Sequence, residues 1–331
     1  MTHAIAVLRG GASFLACALI VACAQNPEAA IYPTADFRPP GLVEALPASS
    51  KSVVLVFDEP VASVSGSLAV EPSAGVSCRA EDKRLLVDFG SGMSPGADYA
   101  LAGEVEDGSG NRTRFLVRFS GWNDRAPRLR ISEVQTGKNS SKTKPHRDFV
   151  ELEALADGNL GGEELSWSSS VKSASYRFPG AEVKKGDFIV LHLAPEGLDE
   201  ERDEIGSDLV ASGGIDASGS GRDFWCKTMP LPDESGAVAI SLRPGETPCD
   251  GLFYADEGKS GAIADGKLAD LIGLMAKSRV WSVSGESASW EDGFSWKVST
   301  SKSICRSSSA NGPSAWSVGA SGTQSPGRAN P

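Results

Sequence analysis

The sequence is short of the residues from which active sites are usually assembled. Its histidines are His3, His146 and His192, far apart and without a paired nucleophile motif. None of its 6 cysteines forms a CxxC pair, so a tetrahedral zinc site has no ligand set. Cations are in the minority, 32 Lys and Arg against 43 Asp and Glu, for a formal net charge of −11. A body of that sign is repelled by nucleic acid, whose recognition needs clustered Lys and Arg, and no nucleic-acid partner is expected. Long amphipathic helices are scarce as well. Gly92-Met93-Ser94-Pro95-Gly96 matches G-x-S-x-G by letter. That motif works on a strand-to-helix elbow, whereas here it contains proline and precedes a β-prone run. Gly258-Lys259-Ser260 ends like a phosphate loop, but Phe253 stands where that loop needs its first glycine. Neither an enzymatic activity nor a cofactor is expected.

What is present begins at the amino terminus. Met1 to Arg9 has one firm positive charge, at Arg9, and no acid. Gly10 to Ala22 is apolar or small throughout, with Phe14, Leu15, Leu19, Ile20 and Val21 at its centre. That run falls short of the roughly 20 apolar residues that a membrane-spanning helix needs and suits the core of a secretory signal. Its end, Leu19-Ile20-Val21-Ala22-Cys23, resembles a relaxed lipobox, in which the cysteine becomes the acylated terminus. The expectation is a lipoprotein signal over residues 1–22 and lipid on Cys23. Two acyl chains suffice for stable anchoring. The protein is then held to a membrane of the bacterial cell envelope and not in the cytoplasm. Ala24 and Gln25 follow the anchor rather than aspartate, which favours the outer membrane or cell surface. Loss of residues 1–22 removes Arg9 and no acid, moving the net charge from −11 to −12.

Residues 23–48 carry Pro27, Pro33, Pro39, Pro40 and Pro47. Proline resists compaction, so this stretch is expected to be a semi-extended tether reaching on the order of 70 Å. Beyond it, short β-rich runs punctuated by Gly, Ser and Asp argue for two tandem Ig-like β-sandwiches in an all-β chain. The first is expected over 49–120, with strands at Val53–Phe57, Leu85–Phe89, Tyr99–Val105 and Thr113–Phe119. In the last, Phe115, Val117 and Phe119 share one face. Phe57-Asp58-Glu59-Pro60-Val61, Met93-Ser94-Pro95-Gly96 with Tyr99, and Asp107 with Gly110-Asn111 together resemble a bacterial Ig-like domain. Tyr99, at the start of a strand after a turn, resembles a tyrosine corner, whose hydroxyl pins the connection.

The second unit is expected over 127–331. It opens with Leu129-Arg130-Ile131-Ser132-Glu133-Val134, continues through Phe149-Val150-Glu151-Leu152, read as a half-buried strand, and closes on Ser325-Pro326-Gly327-Arg328-Ala329-Asn330. This order resembles the lamin-tail domain, an Ig-like sandwich. Two insertions depart from a minimal lamin tail. One, near 195–229, is acidic and glycine-rich. The other, near 256–302, holds a stretch whose Ala264, Leu268, Leu271, Ile272 and Met275 fit one helical face. The acidic run Asp199 to Glu204 reads as a solvated loop or short helix, since it lacks the alternating spacing of a compact calcium loop.

With Cys17 in the signal and Cys23 lipidated, Cys78, Cys226, Cys249 and Cys305 remain. An exported protein permits disulfides among them. Cys226, Cys249 and Cys305 are the candidates, with one bridge or two both open. His146 belongs to a basic loop, and His192 is read as a core or edge histidine. Trp281, Trp290 and Trp296 are the candidate ligand-binding residues, against the alternative that they fill a core. The expected function is non-enzymatic: an envelope lipoprotein presenting its second domain to another envelope protein or a glycan, for binding or adhesion. The alternatives are an accessory or degenerate exported hydrolase component and a purely structural spacer. Converging carboxylates and His192 in a cleft would point to the hydrolase, and an exposed apolar patch to binding.

Overall fold

The computed structural model describes residues 36–137, 148–214 and 216–331. The expected signal, Cys23, His146 and the first part of the tether lie outside the described residues. Among the described residues no helix is long and apolar enough to cross a membrane. Among the described residues the chain is all-β but for one α-helix and two short 3-10 turns.

The first sandwich is built from β1 (Leu42–Ser49), β2 (Ser52–Phe57), β3 (Ala62–Ser63), β4 (Ala69–Glu71), β5 (Val76–Glu81), β6 (Arg84–Phe89), β7 (Asp98–Glu106) and β8 (Arg112–Ser120). One sheet runs β1-β2-β6-β5. In the other, β7 pairs with β3 and β4 on one side and with β8 on the other. Alternate residues point inward, as the pleat requires. Val53, Leu55 and Phe57 meet Leu85, Val87 and Phe89 from one sheet, and Leu101, Val105, Phe115 and Val117 from the other. Each such side chain, fully buried, contributes about 2 kcal/mol. The Tyr99 hydroxyl accepts the Ser94 backbone N–H at 2.8 Å, and so ties the turn before β7 to that strand. The expected far end of the tether is part of the first sandwich instead. Residues from Leu42 onward form β1, paired with β2 through Ser49.

The second sandwich begins with β9 (Leu129–Gln135), β10 (Asp148–Ala154), β11 (Gly158–Asn159), β12 (Glu164–Ser168), β13 (Ser173–Arg177), β14 (Glu182–Val183) and β15 (Phe188–Leu193). It continues with β16 (Arg222–Cys226), β17 (Gly236–Ser241), β18 (Asp250–Asp256), α1 (Lys267–Lys277), β19 (Phe294–Trp296), β20 (Ile304–Arg306) and β21 (Trp316–Val318). A six-stranded sheet, β16-β15-β10-β9-β20-β21, faces a five-stranded one, β13-β12-β17-β18-β19. Leu268, Leu271, Ile272 and Met275 of α1 are buried against β12, β17 and β18. The expected helical face is therefore present, with Ala264 ahead of the helix.

Each insertion ends in a strand that widens a sheet. β16 joins β15 in parallel and β19 joins β18 in parallel. A parallel neighbour needs a crossover of a dozen or more residues, which is the length these insertions supply. The expectation for β10 is also revised. It is buried on both faces, not one, because the carboxy-terminal turn covers its outer side.

Candidate functional site

The motifs at the two ends of the second domain meet in space. Glu133 on β9 and Glu151 on β10 are fully buried, and their carboxylates hold the carboxy-terminal turn. Glu133 accepts from the Ser325 backbone N–H at 3.1 Å and its hydroxyl at 3.0 Å, and also from the Ser303 hydroxyl. Glu151 accepts from the Ser132 hydroxyl at 2.6 Å and the Gly327 N–H at 2.7 Å. Gly327 has φ +79°, and a Cβ there would lie 1.7 Å from the Ser218 hydroxyl oxygen, so glycine is required. Burial pushes Glu151 up to about 8 and raises Glu133. This is a latch that fastens the last turn.

His192 on β15 is also sealed. Its Nε2 lies 2.8 Å from Asp223 Oδ1, and its ring stacks on Trp225 with centroids 4.1 Å apart. His192 and Asp223 are both fully buried. Asp223 in turn accepts the Ser218 N–H at 2.6 Å. This is a core histidine.

The acidic run is not solvated throughout, as the sequence suggested. Glu201 and Glu204 are buried. Glu201 accepts the backbone N–H groups of Glu196, Gly197 and Leu198. Glu204 accepts those of Ser212 and Asp223, and Asp203 accepts that of Trp225. Asp203 and Glu204 thus satisfy the outward donors of β16, the edge strand of its sheet. Exposed edges invite pairing with other chains, and charged caps blunt them.

Two sets of candidate residues are corrected. Trp281 and Trp296 are 1% and 0% exposed, with their indole N–H groups donating to Asp292 O and to Thr136 Oγ1 at 3.0 Å each. Trp290 is half-buried, packed on the same core, and covered by the Lys259 ammonium at 4.6 Å. Trp281 and Trp296 fill the core and offer no ligand platform. Cys78, Cys226, Cys249 and Cys305 are all free thiols. Cys226 on β16 and Cys305 on β20 stand four strands apart in one sheet, about 19 Å at normal strand spacing, far beyond the Cα separation a disulfide spans. Cys249 lies beside the other sheet, with its thiol donating to Ile240 O.

An open site lies where the sandwiches meet. Ser94 to Asp98 of the first domain face Asn159, Asp203 and Tyr176 to Gly180 of the second across a cleft of about 660 Å³. Pro95, Pro179, Tyr176 and Phe178 give it apolar walls, with the two rings edge to face at 5.1 Å. The Tyr176 hydroxyl donates to Asp203 Oδ2 at 2.8 Å, and Arg177 donates to Asp98 Oδ1 at 2.7 Å. Burial first, and then the Asp203 charge, hold the tyrosine hydroxyl well above its ordinary range, so it stays a donor. Asp98 also borders a neighbouring hollow of about 630 Å³. Apolar walls with a few convergent polar groups at a domain boundary are what ligand sites have in common. Of the cleft's polar side chains, the sequence reading took in Asp203, within the acidic run. Nothing local marks residues this far apart in the chain as one site.

A sequence-family model described as "TP_1001_2nd: protein second domain" matches residues 127–318, the second sandwich. A Treponema pallidum (strain Nichols) protein, named as an uncharacterized protein, is 28% identical over 210 residues, 62% of this chain and 52% of the relative. The chain therefore spans about half the length of the curated relative it matches. Among solved structures, a DUF4876 family protein from Bacteroides thetaiotaomicron is 13% identical and covers 62% of this chain and 77% of that one, with a TM-score of 0.26.

Proposed function

The chain belongs to the TP_1001_2nd protein second-domain family, and from that premise we propose that it is a non-enzymatic binding module of the bacterial cell envelope. On this reading its two sandwiches carry a ligand in the cleft between them. The observation that carries it is that cleft, in which prolines and a tyrosine are backed by Asp98, Arg177 and Asp203. Aromatic and proline walls with carboxylates and a guanidinium suit a glycan or an extended peptide of another envelope protein. Apolar side chains on the acidic insertion, Leu198, Ile205 and Val210, are exposed and offer further apolar surface to a partner. The first sandwich is read as a bacterial Ig-like domain and the second as a lamin-tail domain. Support for the latter is the meeting of Glu133, Glu151 and the Ser325–Asn330 turn.

The membrane anchor belongs to the same proposal. Cys23 carries the lipid, and the segment before Leu42 spaces the sandwiches from the membrane. Cys23→Ser should release the protein from membranes or trap its precursor, and mature protein in the detergent fraction would refute the anchor. For the cleft, a photo-cross-linking residue is introduced at Gly180 and, as a control, at Gly66 in the first domain, on intact cells. The expected result is one reproducible adduct from Gly180 and none from Gly66. Equal labelling from both, or none from either, would remove the cleft as the binding site.

A further inference from the structure

A second pocket, sharing no residue with the junction cleft, lies between the β20–β21 loop and the carboxy-terminal turn. It encloses about 290 Å³ and is bordered by Arg130, Glu153, Phe188, Arg306 and the three serines Ser307 to Ser309. Its lining is rich in donors. Arg130 gives Nη2 to Glu153 at 2.6 Å, while its buried Nε has no acceptor among the described residues. Arg306 is held in place by three contacts: Nη2 on both Asp250 oxygens at 2.7 Å, Nε on Ile131 O at 2.6 Å, and its guanidinium over the Trp316 ring at 4.3 Å. Its Nη1 has only a 3.3 Å contact, to Ala310 O. Ser307 to Ser309 are exposed around the rim. Against these donors the lining offers one carboxylate, that of Glu153.

Two guanidiniums converge here in a chain whose net charge is −11. Guanidinium forks from two strands and hydroxyl groups from the loop between β20 and β21 match an anion that accepts from several directions. Phe188 adds an apolar wall, against which the carbon portion of a ligand can rest. We propose that this pocket binds the tetrahedral oxyanion of a phosphate or sulfate ester. Arg130 and Arg306 meet the anion, Ser308 and Ser309 close over it, and Glu153 competes with it for Arg130.

The test titrates the full chain in detergent with inorganic phosphate, inorganic sulfate and glycerol 3-phosphate by calorimetry. Saturable binding of at least one probe is expected. Tighter binding of glycerol 3-phosphate than of phosphate identifies an ester as the ligand, and the reverse identifies the free anion. Arg130→Gln should weaken binding at least about tenfold. Glu153→Gln, which removes the competing acceptor, should tighten it about threefold. Arg114→Gln, on β8 of the first domain, should change nothing. Absence of saturable binding by every probe overturns the proposal, as does wild-type affinity in Arg130→Gln. If Arg130→Gln does not fold, unchanged or weaker binding in Glu153→Gln overturns it instead.

Discussion

Glu163 is the residue that the structure leaves in the least comfortable position. It is fully buried before β12, and both carboxylate oxygens lack a partner among the described residues. An ionised carboxylate there would be costly, and burial pushes Glu163 up to about 9. Glu151, raised to about 8, behaves the same way. For a carboxyl group whose folded value is raised, the folded state holds a proton that the unfolded state releases. Stability is then complete below about pH 4.5 and is lost as pH rises toward 8 or 9, by about 1.4 kcal/mol per pH unit for each group. Urea melts at pH 5, 7 and 9 should show that fall, and Glu163→Gln should remove part of it. A pH-independent wild type would refute the protonated state. Glu151→Ala takes acceptors from Ser132 and Gly327. It should cost about 2 kcal/mol and speed amide exchange at Gly327, whereas unchanged exchange would mean that the latch does not depend on it. The sequence displayed Glu133 and Glu151 within recognisable strands, but their joint grip on the last turn depends on a contact between the two ends of the domain. Glu163 had no signal at all, since a glutamate beside two glycines reads as a turn.

At the scale of elements, alternation made the long strands legible. Val53, Leu55 and Phe57, and Phe115 and Val117, point inward as their spacing required. The same rule misread β10, because alternation reports one covered face and cannot reveal a turn from the far end of the chain lying over the other. It also passed over β16 and β19, which sit inside segments that read as insertions and whose parallel pairing depends on a distant strand. The caps on β16 show what the acidic run does. Asp203 and Glu204 accept the N–H groups of Trp225 and Asp223, so removing them exposes a strand edge buried among charges. The double variant Asp203→Ala with Glu204→Ala should raise amide exchange at Trp225 by at least about tenfold and promote self-association, since bare edges pair with other chains. A variant that stays monodisperse by light scattering, with wild-type exchange, would show that the caps are dispensable.

At the scale of the whole molecule, the cleft is framed by a close approach of the two sandwiches' backbones. The turn Pro95-Gly96 meets Gly161-Gly162 so closely that a Cβ on Gly161 would lie 2.3 Å from Pro95 O, and one on Gly96 would lie 2.2 Å from Gly162 N. Around that contact, the Asn123 side chain donates to Asn159 O at 2.7 Å and Gly161 O at 2.9 Å. The Arg243 guanidinium stacks 3.6 Å above the Trp122 ring, and Arg177 bridges to Asp98 at 2.7 Å. The turn that matches G-x-S-x-G by letter is therefore a docking surface. Its glycine is needed both for φ +69° and for the close approach. Gly161 is the cleaner probe, because its own backbone does not demand glycine. Gly161→Ala forces backbone against backbone, where neither side can yield by turning a side chain. It should cost about 2 kcal/mol at the junction while both cores stay intact. The expected signature is a broadened distance distribution in small-angle scattering, with two melting transitions in place of one. Gly75→Ala, whose Cβ would meet open space, should leave both measurements unchanged. If Gly161→Ala scatters and melts like the wild type, the sandwiches are not held by this contact, and a ligand site that depends on their fixed approach loses its frame.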